Sequence, residues 1–543
     1  MSRTGGQALV AQLELQGVDT IFCVPGESYL PVLDALHDSP IRLVSARHEA
    51  SAANMAEAYG KLTGQPGICL VTRGPGSTQA AVGVHTADQG STPMLLLVGQ
   101  VPRAVRGRAA FQELDYPSTF GGIAKRVVEV GDPDLLADET AASYAAALEG
   151  RPGPVVLALP EDVLAAGTDA PDADVATPRV PQPAPADLAR LRELLAGAER
   201  PLVVVGEGGW SAGAARDVLA FAEASELPVA ASFRCQDYVD NRSRVYAGHL
   251  TIGMDANLAA RVRDADLILA VGSRLGDVMT RGYTLLGGQT LVHVHPDPAE
   301  LGRVFRPELG ICSDLTLFAG ALEPVESRWQ EWTAAARVDY EANLRHEPAP
   351  GDLDLGDVMA FLRARLPDDA ILTSGAGNFT VWAHRFYEFR RYGTQLAPQS
   401  GAMGYGLPAA IAAKIARPDR LVVCLAGDGD FLMAGAELAT AVKEELPIVV
   451  LLVNNGMYGT IRMHQERLYP GRVVGTDLVN PDFAAYAAAF GAYGETVLRT
   501  EEVEGAFERA VASGRPALLD LRVDPEAISP RATISELRAQ AGA

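Results

Sequence analysis

RLVVCLAGDGDFLMAGAELATAVKEELPIVVLLVNNG, residues 420–456, reads as strand, turn, helix, strand, turn. The run 420–426 is apolar and stops at Gly427-Asp428-Gly429-Asp430. FLMAGAELATAVKEE follows with a helical composition, and the run 447–453 stops at Asn454-Asn455-Gly456. Unbroken apolar runs belong to strands covered on both faces, and a helical crossover makes the pair parallel. Twenty-four residues lie between Gly429 and Asn454, room for a single crossover, so the two strand ends come side by side. Ligands of such sheets bind outside the carboxyl ends of the strands. There an Asp carboxylate and an Asn amide oxygen converge, hard oxygen ligands suited to Mg2+. The glycines let backbone N–H groups approach phosphate oxygens. Each turn alone is an ordinary tight turn; at this spacing the two together describe a metal–diphosphate site.

The same alternation extends in both directions. TIFCV (20–24), IRLVSA (41–46), GICLV (67–71) and PMLLLVG (93–99) read as strands, as do PLVVVGEG (201–208), LPVAASF (227–233), DLILAVGS (266–273), TLVHVHP (290–296) and AILTSG (370–375). Two Pro-rich stretches, 166–185 and 346–352, lack apolar periodicity and read as linkers. At roughly 150 residues per domain the length allows three to four domains. The expected fold is α/β, with three doubly wound parallel-sheet domains in series: 1–165, a Rossmann-like 186–330, and 350–535.

With 48% hydrophobic residues the 543-residue chain can bury several cores. A net charge of −22 excludes a nucleic-acid binder and docking on an anionic membrane. The longest apolar run, 446–453, is far short of a membrane span, and the first eighteen residues read as an amphipathic helix without a signal-peptide core. Five scattered Cys give neither a zinc site nor a disulfide framework, which points to a reducing cytoplasm. Only four Lys (Lys61, Lys125, Lys414, Lys443) stand against 42 Arg, leaving few candidates for Schiff-base chemistry. His85, His249 and His384 have no ligand spacing and read as helix or loop residues with satisfied hydrogen bonds.

On its GDG…NN pair the chain resembles the thiamine-diphosphate-dependent enzymes. The resemblance implies Mg2+ ligation by Asp428, Asn455 and the backbone carbonyl of Met457, with Gly427, Gly429 and Asp430 in the same cofactor-binding turn. It implies a second diphosphate-binding turn in Gly375-Ala376-Gly377-Asn378-Phe379. Two further segments match. Glu49, in Arg47-His48-Glu49, corresponds to the glutamate that hydrogen-bonds the cofactor's aminopyrimidine and promotes its imino form. Met403, in Gly401-Ala402-Met403-Gly404, corresponds to the apolar wedge that bends the cofactor, with the Gly401 carbonyl orienting its amine. The family places pyrimidine-binding, central and diphosphate-binding domains in this order. It builds its sites at the interface of a homodimer, often within a homotetramer.

Arg73-Gly74-Pro75-Gly76, Phe111-Gln112-Glu113, Gly150-Arg151-Pro152-Gly153-Pro154 and GAMGYGLPAA are most similar to the catalytic subunit of acetolactate synthase. The similarity gives Phe111 and Gln112 a place in the catalytic pocket. It implies decarboxylation of a 2-oxo acid with transfer to a carbonyl acceptor. Simple decarboxylases or aldehyde lyases of the benzoylformate and benzaldehyde type, and flavin-dependent oxidases of the pyruvate oxidase type, are the alternatives. Three positions depart from the synthases. Glu161 stands where they usually carry Lys, His464 where they usually carry Trp, and Glu27 where they usually carry Gly. Glu27 is either a second proton-transfer group or a solvated turn residue. FAD on the central domain is left open. Gly206-Glu207-Gly208-Gly209 has Ser211 in place of a third Gly, His293-Val294-His295 replaces an acidic pattern, and Arg151 and Arg274 remain as candidate flavin contacts.

Overall fold

The computed structural model describes residues 3–542. Three six-stranded sheets, every neighbouring pair parallel, carry the three expected domains. The first runs in the order Arg42–Ser45, Thr20–Cys23, Gly67–Val71, Met94–Gln100, Pro154–Pro160, Arg126–Glu129. The central sheet runs Tyr246–His249, Val229–Ala231, Pro201–Val205, Leu267–Val271, Thr290–His295, Leu309–Cys312. The third runs Gln395–Leu396, Ile371–Ser374, Val422–Gly427, Val449–Asn454, Ala517–Arg522, Tyr493–Val497. Their central strands are wholly buried, as unbroken runs of Val, Leu and Ile require.

The opening helix, Gly5–Leu15, starts at a capping box in which Thr4 and Gln7 satisfy one another's backbone N–H groups. The stretch after Gly427 is not the single helix expected from FLMAGAELATAVKEE. It breaks into Asp428–Leu432, a 3-10 turn at Gly435–Glu437, and Leu438–Lys443. Gly435 sits at the break, where an added Cβ would lie 3.0 Å from the Phe431 ring. The first linker is held down: Gln12 and Gln16 of the opening helix exchange side-chain hydrogen bonds with the backbone at 173–176.

The first and third domains share one core. Helices Glu49–Thr63 and Gly406–Ala416 meet along small residues, with Ala52, Ala53 and Ala56 in the same cluster as Ala409, Ala410 and Ala413. Beside that seam the Tyr405 hydroxyl donates to Glu57 at 2.6 Å, and Thr92 donates to the other Glu57 oxygen at 2.7 Å. No helix among the described residues is long and apolar enough to cross a membrane.

The C-terminal helix Ile534–Gly542 packs on helix Gly459–Leu468 through Met463, Ile534 and Leu537 and is tied to it by one carboxylate. The Glu466 side chain is fully buried and accepts from Arg538 (2.6 Å), Arg462 (3.0 Å) and the Gly471 N–H (3.0 Å). The Arg538 guanidinium, then the other donors, hold its pKa down at about 2, against an ordinary value of 4.5. A depressed carboxylate stabilises above its unfolded pKa, and that contribution is lost as pH falls through the folded value. Between about pH 4.5 and 2 the C-terminal helix is therefore expected to become protease-sensitive. E466Q should show that sensitivity already at pH 7, read by limited proteolysis.

Candidate active site

The register that pairs Gly427 with Val453 delivers Asp428 and Asn455 to one place at the carboxyl edge of the third sheet. Asp428 opens the helix there and is 2% exposed. Its Oδ1 accepts from the Gly429 N–H (2.9 Å), and its Oδ2 from the Gly456 N–H and the Asn480 amide (both 2.8 Å). Burial pushes its pKa up, and these hydrogen bonds oppose that shift. Asn455 turns its Oδ1 to the Met457 N–H at 3.1 Å. The other Asn is structural: Asn454 Nδ2 donates to Asp520 (2.9 Å), and its Oδ1 accepts from Asn480 (3.1 Å).

Asp428, Asn455 and Met457 border a cleft of about 220 Å3 that also reaches Gly377, Asn378, Phe379, Gly401, Met403, Gly427, Gly429 and Asp430. The structure thus brings together every residue expected to bind the diphosphate and metal. Two glycines keep the cleft open. A Cβ on Gly427 would come within 2.8 Å of the Phe379 ring, and one on Gly429 within 2.5 Å of the Tyr458 ring. Helix Phe379–Phe386 starts at the cleft, so its dipole favours an anion there, although the Thr380 and Val381 N–H groups already donate to the Gly377 and Asn378 carbonyls at 3.1 and 2.9 Å. The Asn378 side chain is spent within the protein, accepting from Thr460 (2.9 Å) and donating to the Ile528 carbonyl (3.0 Å). Gly401 adopts φ +72° in the turn before Met403, which glycine alone takes without strain. A carboxylate, an amide oxygen and a backbone carbonyl around an open pocket are a donor set that fits Mg2+ with a diphosphate.

Glu49, Phe111 and Gln112 do not line this cleft; they lie along the carboxyl edge of the first sheet. Glu49 is the first residue of its helix and half-buried, with Oε1 3.4 Å from where a Cβ of Gly76 would stand. The preceding loop is set by the third domain, because the buried Glu437 accepts the N–H groups of Arg47 (3.0 Å) and His48 (3.1 Å). Gln112, at φ +65°, lies against Gly74, and Phe111 is 76% exposed.

Two of the departures from the synthase pattern share one partner. Arg73 is 8% exposed and donates to Glu27 at 2.9 Å and to Glu161. Glu27 is thus ion-paired to Arg73 while its side chain stays 69% exposed, a solvated turn residue with one charged partner. His464 is exposed on helix Gly459–Leu468. His85 is also exposed. His384 corrects an expectation: it is 4% exposed, its Nε2 has no hydrogen-bond partner, and burial drives its pKa well below the ordinary value.

The glycine turn of the central domain has its N–H groups engaged. The Gly206 and Gly208 N–H groups already donate to Val271 and Gly272 carbonyls, both at 3.1 Å. Glu207 accepts from the Ser232 hydroxyl (2.5 Å) and the Arg274 N–H (2.8 Å). Arg151 binds Asp88 at 2.7 Å and, with Arg274, faces the buried Glu300 at 3.4 and 3.8 Å. Two carboxylates and spent N–H groups at these strand ends disfavour a second anion.

Sequence reasoning missed Asn480, which lies in no motif, and Arg234 of the central domain. Arg234 reaches the Gly375 carbonyl at 3.2 Å.

Comparisons with known proteins agree with this geometry. The thiamine pyrophosphate enzyme N-terminal TPP binding domain matches residues 3–119, the central domain of the same enzymes 188–322, and their C-terminal TPP binding domain 375–521. The chain is 33% identical over 529 residues to an acetolactate synthase isozyme 2 large subunit of Escherichia coli (strain K12), covering 96% of this chain and 95% of that one. It is 34% identical over 545 residues to an acetolactate synthase large subunit of Parasynechococcus marenigrum (strain WH8102), covering 96% and 87%. It is 31% identical over 558 residues to the mitochondrial acetolactate synthase catalytic subunit of Saccharomyces cerevisiae (strain ATCC 204508 / S288c), covering 96% and 81%.

Proposed function

Because the chain belongs to the thiamine pyrophosphate enzymes, among their acetolactate synthase-like members, we propose that it removes CO2 from a 2-oxo acid and joins the remaining acyl group to a carbonyl acceptor. One C–C bond breaks and one forms, with no net oxidation. Thiamine diphosphate supplies the electron sink for the decarboxylation. Asp428, Asn455 and the Met457 carbonyl would hold Mg2+, whose charge would offset that of the diphosphate in an otherwise acidic protein. The dipole of helix Phe379–Phe386 would favour its phosphates, and Met403 would support the bend between its rings. Glu49 holds a proton at the aminopyrimidine. Phe111 and Gln112 cover the substrate.

The single observation that carries this reading is the convergence of Asp428, Asn455 and the glycine turns on one cleft. The location of Glu49 and Phe111 away from that cleft supports a homodimer, or a tetramer of two such dimers. In it one chain's first domain closes over the other's third. Five free Cys, four of them buried, support a cytoplasmic setting.

A second reading has its own observation. Where the synthases carry Lys, this chain carries Glu161, and Arg73 is held between Glu161 and Glu27. That pairing weakens the pull on a second substrate carboxylate and favours an aldehyde as acceptor, or its simple release. The experiment is a panel of 2-oxo acids with thiamine diphosphate and Mg2+, without FAD, read by CO2 release and product analysis. CO2 release is expected without added flavin. An acetohydroxy acid identifies a 2-oxo acid as acceptor, a 2-hydroxyketone identifies an aldehyde, and a free aldehyde alone identifies simple release. No CO2 from any acid overturns both.

A further inference from the structure

Two buried residues of opposite charge each hold both loops of the cleft. Arg234, just past strand Val229–Ala231 of the central domain, is 4% exposed and has φ +59°, an uncommon conformation for a residue with a side chain. Its guanidinium crosses into the third domain. Nη2 donates to the Gly375 carbonyl at 3.2 Å, at the head of the diphosphate turn, and Nη1 donates to the Pro398 carbonyl. The same Pro398 carbonyl accepts the Gly401 N–H at 2.9 Å, closing the turn that leads into the wedge. Asp430 grips the same two loops by their donors: its Oδ1 accepts from the Ala376 N–H (3.1 Å) and the Gly404 N–H (2.8 Å). The turn at 375–377 and the wedge segment 398–404 are thus pinned to each other twice, by carbonyls on Arg234 and by N–H groups on Asp430.

Domain docking does not need Arg234. The segment that follows it does that work. Asp237 Oδ2 accepts the N–H groups of Gly393, Thr394 and Gln395 at 2.9–3.1 Å. Gln236 donates to the His384 carbonyl at 2.9 Å, and Asn241 accepts the Phe389 N–H at 2.9 Å. A buried cation on a strained backbone, with its Nε unpartnered, is costly to keep where neighbouring residues already dock the domains. Burial also draws its pKa down to about 10, against the pull of Asp430.

Resting on the thiamine-diphosphate reading above, we propose that Arg234 is a positioning residue: from the central domain it sets the separation of the diphosphate turn and the wedge, so that both ends of the cofactor are gripped in one geometry. Titration calorimetry in Mg2+ compares thiamine diphosphate, which needs both loops, with inorganic pyrophosphate, which needs only the diphosphate turn and the metal. In R234M, losing charge-assisted hydrogen bonds to both loops is expected to weaken thiamine diphosphate by about tenfold or more, while pyrophosphate stays within about twofold. N241A, which loosens only the docking, should lower the melting temperature and leave the ratio of the two affinities unchanged. If R234M does not fold, R234K, which keeps the buried charge but cannot span both carbonyls, carries the same comparison. Equal weakening of both ligands, or of neither, overturns the proposal. Failure of the wild-type protein to bind thiamine diphosphate overturns instead the functional reading beneath it.

Discussion

Glu49→Gln is expected to lower kcat by about 10²- to 10⁴-fold, the usual range for removing a positioned acid–base group. The affinity for thiamine diphosphate should change by no more than a few-fold. Gln keeps the length and shape of the side chain and can still hydrogen-bond, so the helix start at Glu49 and the fit over Gly76 survive. What it loses is the ability to hold and return a proton. The loop before it is set by Glu437 through the backbone of Arg47 and His48, and so does not depend on the identity of residue 49. Steady-state kinetics beside calorimetric cofactor binding checks this; a variant with wild-type kcat would sink the assignment.

Asp428→Ala should have the next largest effect, on the metal. The carboxylate is the only charged member of its donor set. Its removal also leaves the Gly456 N–H and the Asn480 amide without their acceptor in a buried place. Mg2+ dependence of thiamine diphosphate binding should shift by about 100-fold or more. Asn480→Ala, which removes only supporting hydrogen bonds to Asp428 and Asn454, should cost about 10- to 100-fold, as outer partners of metal ligands do. The order of the two is the test. If N480A matches or exceeds D428A, the carboxylate is not the principal ligand.

Most buried parallel strands are legible because a strand covered on both faces leaves a run such as VVLLV, and the carboxyl ends of two such runs carry the site; the equally buried Pro154–Pro160 and Ala517–Arg522 go unread. The strands that were overlooked are mostly edges. Arg126–Glu129, Tyr246–His249 and Tyr493–Val497 have one side in solvent or at a boundary, mix polar with apolar residues, and leave no run to read. Asp428 and Asn455 could be found because spacing along the chain maps directly onto a crossover. Asn480 and Arg234 could not, because each comes from a distant loop and its role exists only in three dimensions. The broken helix after Gly429 shows the limit of composition. FLMAGAELATAVKEE has helical content throughout, yet the break falls at Gly435, whose Cα lies against an aromatic ring.

The alanine seam between helices Glu49–Thr63 and Gly406–Ala416 makes the outer two domains a single cooperative body despite some 350 residues of intervening sequence. Severing the chain within the first linker would therefore yield a two-piece particle that still sediments as one. The central domain, docked on the third through Asp237, Gln236 and Asn241, is not exchanged independently of it. The terminal domains must be inherited together, since one apolar cluster is built from both.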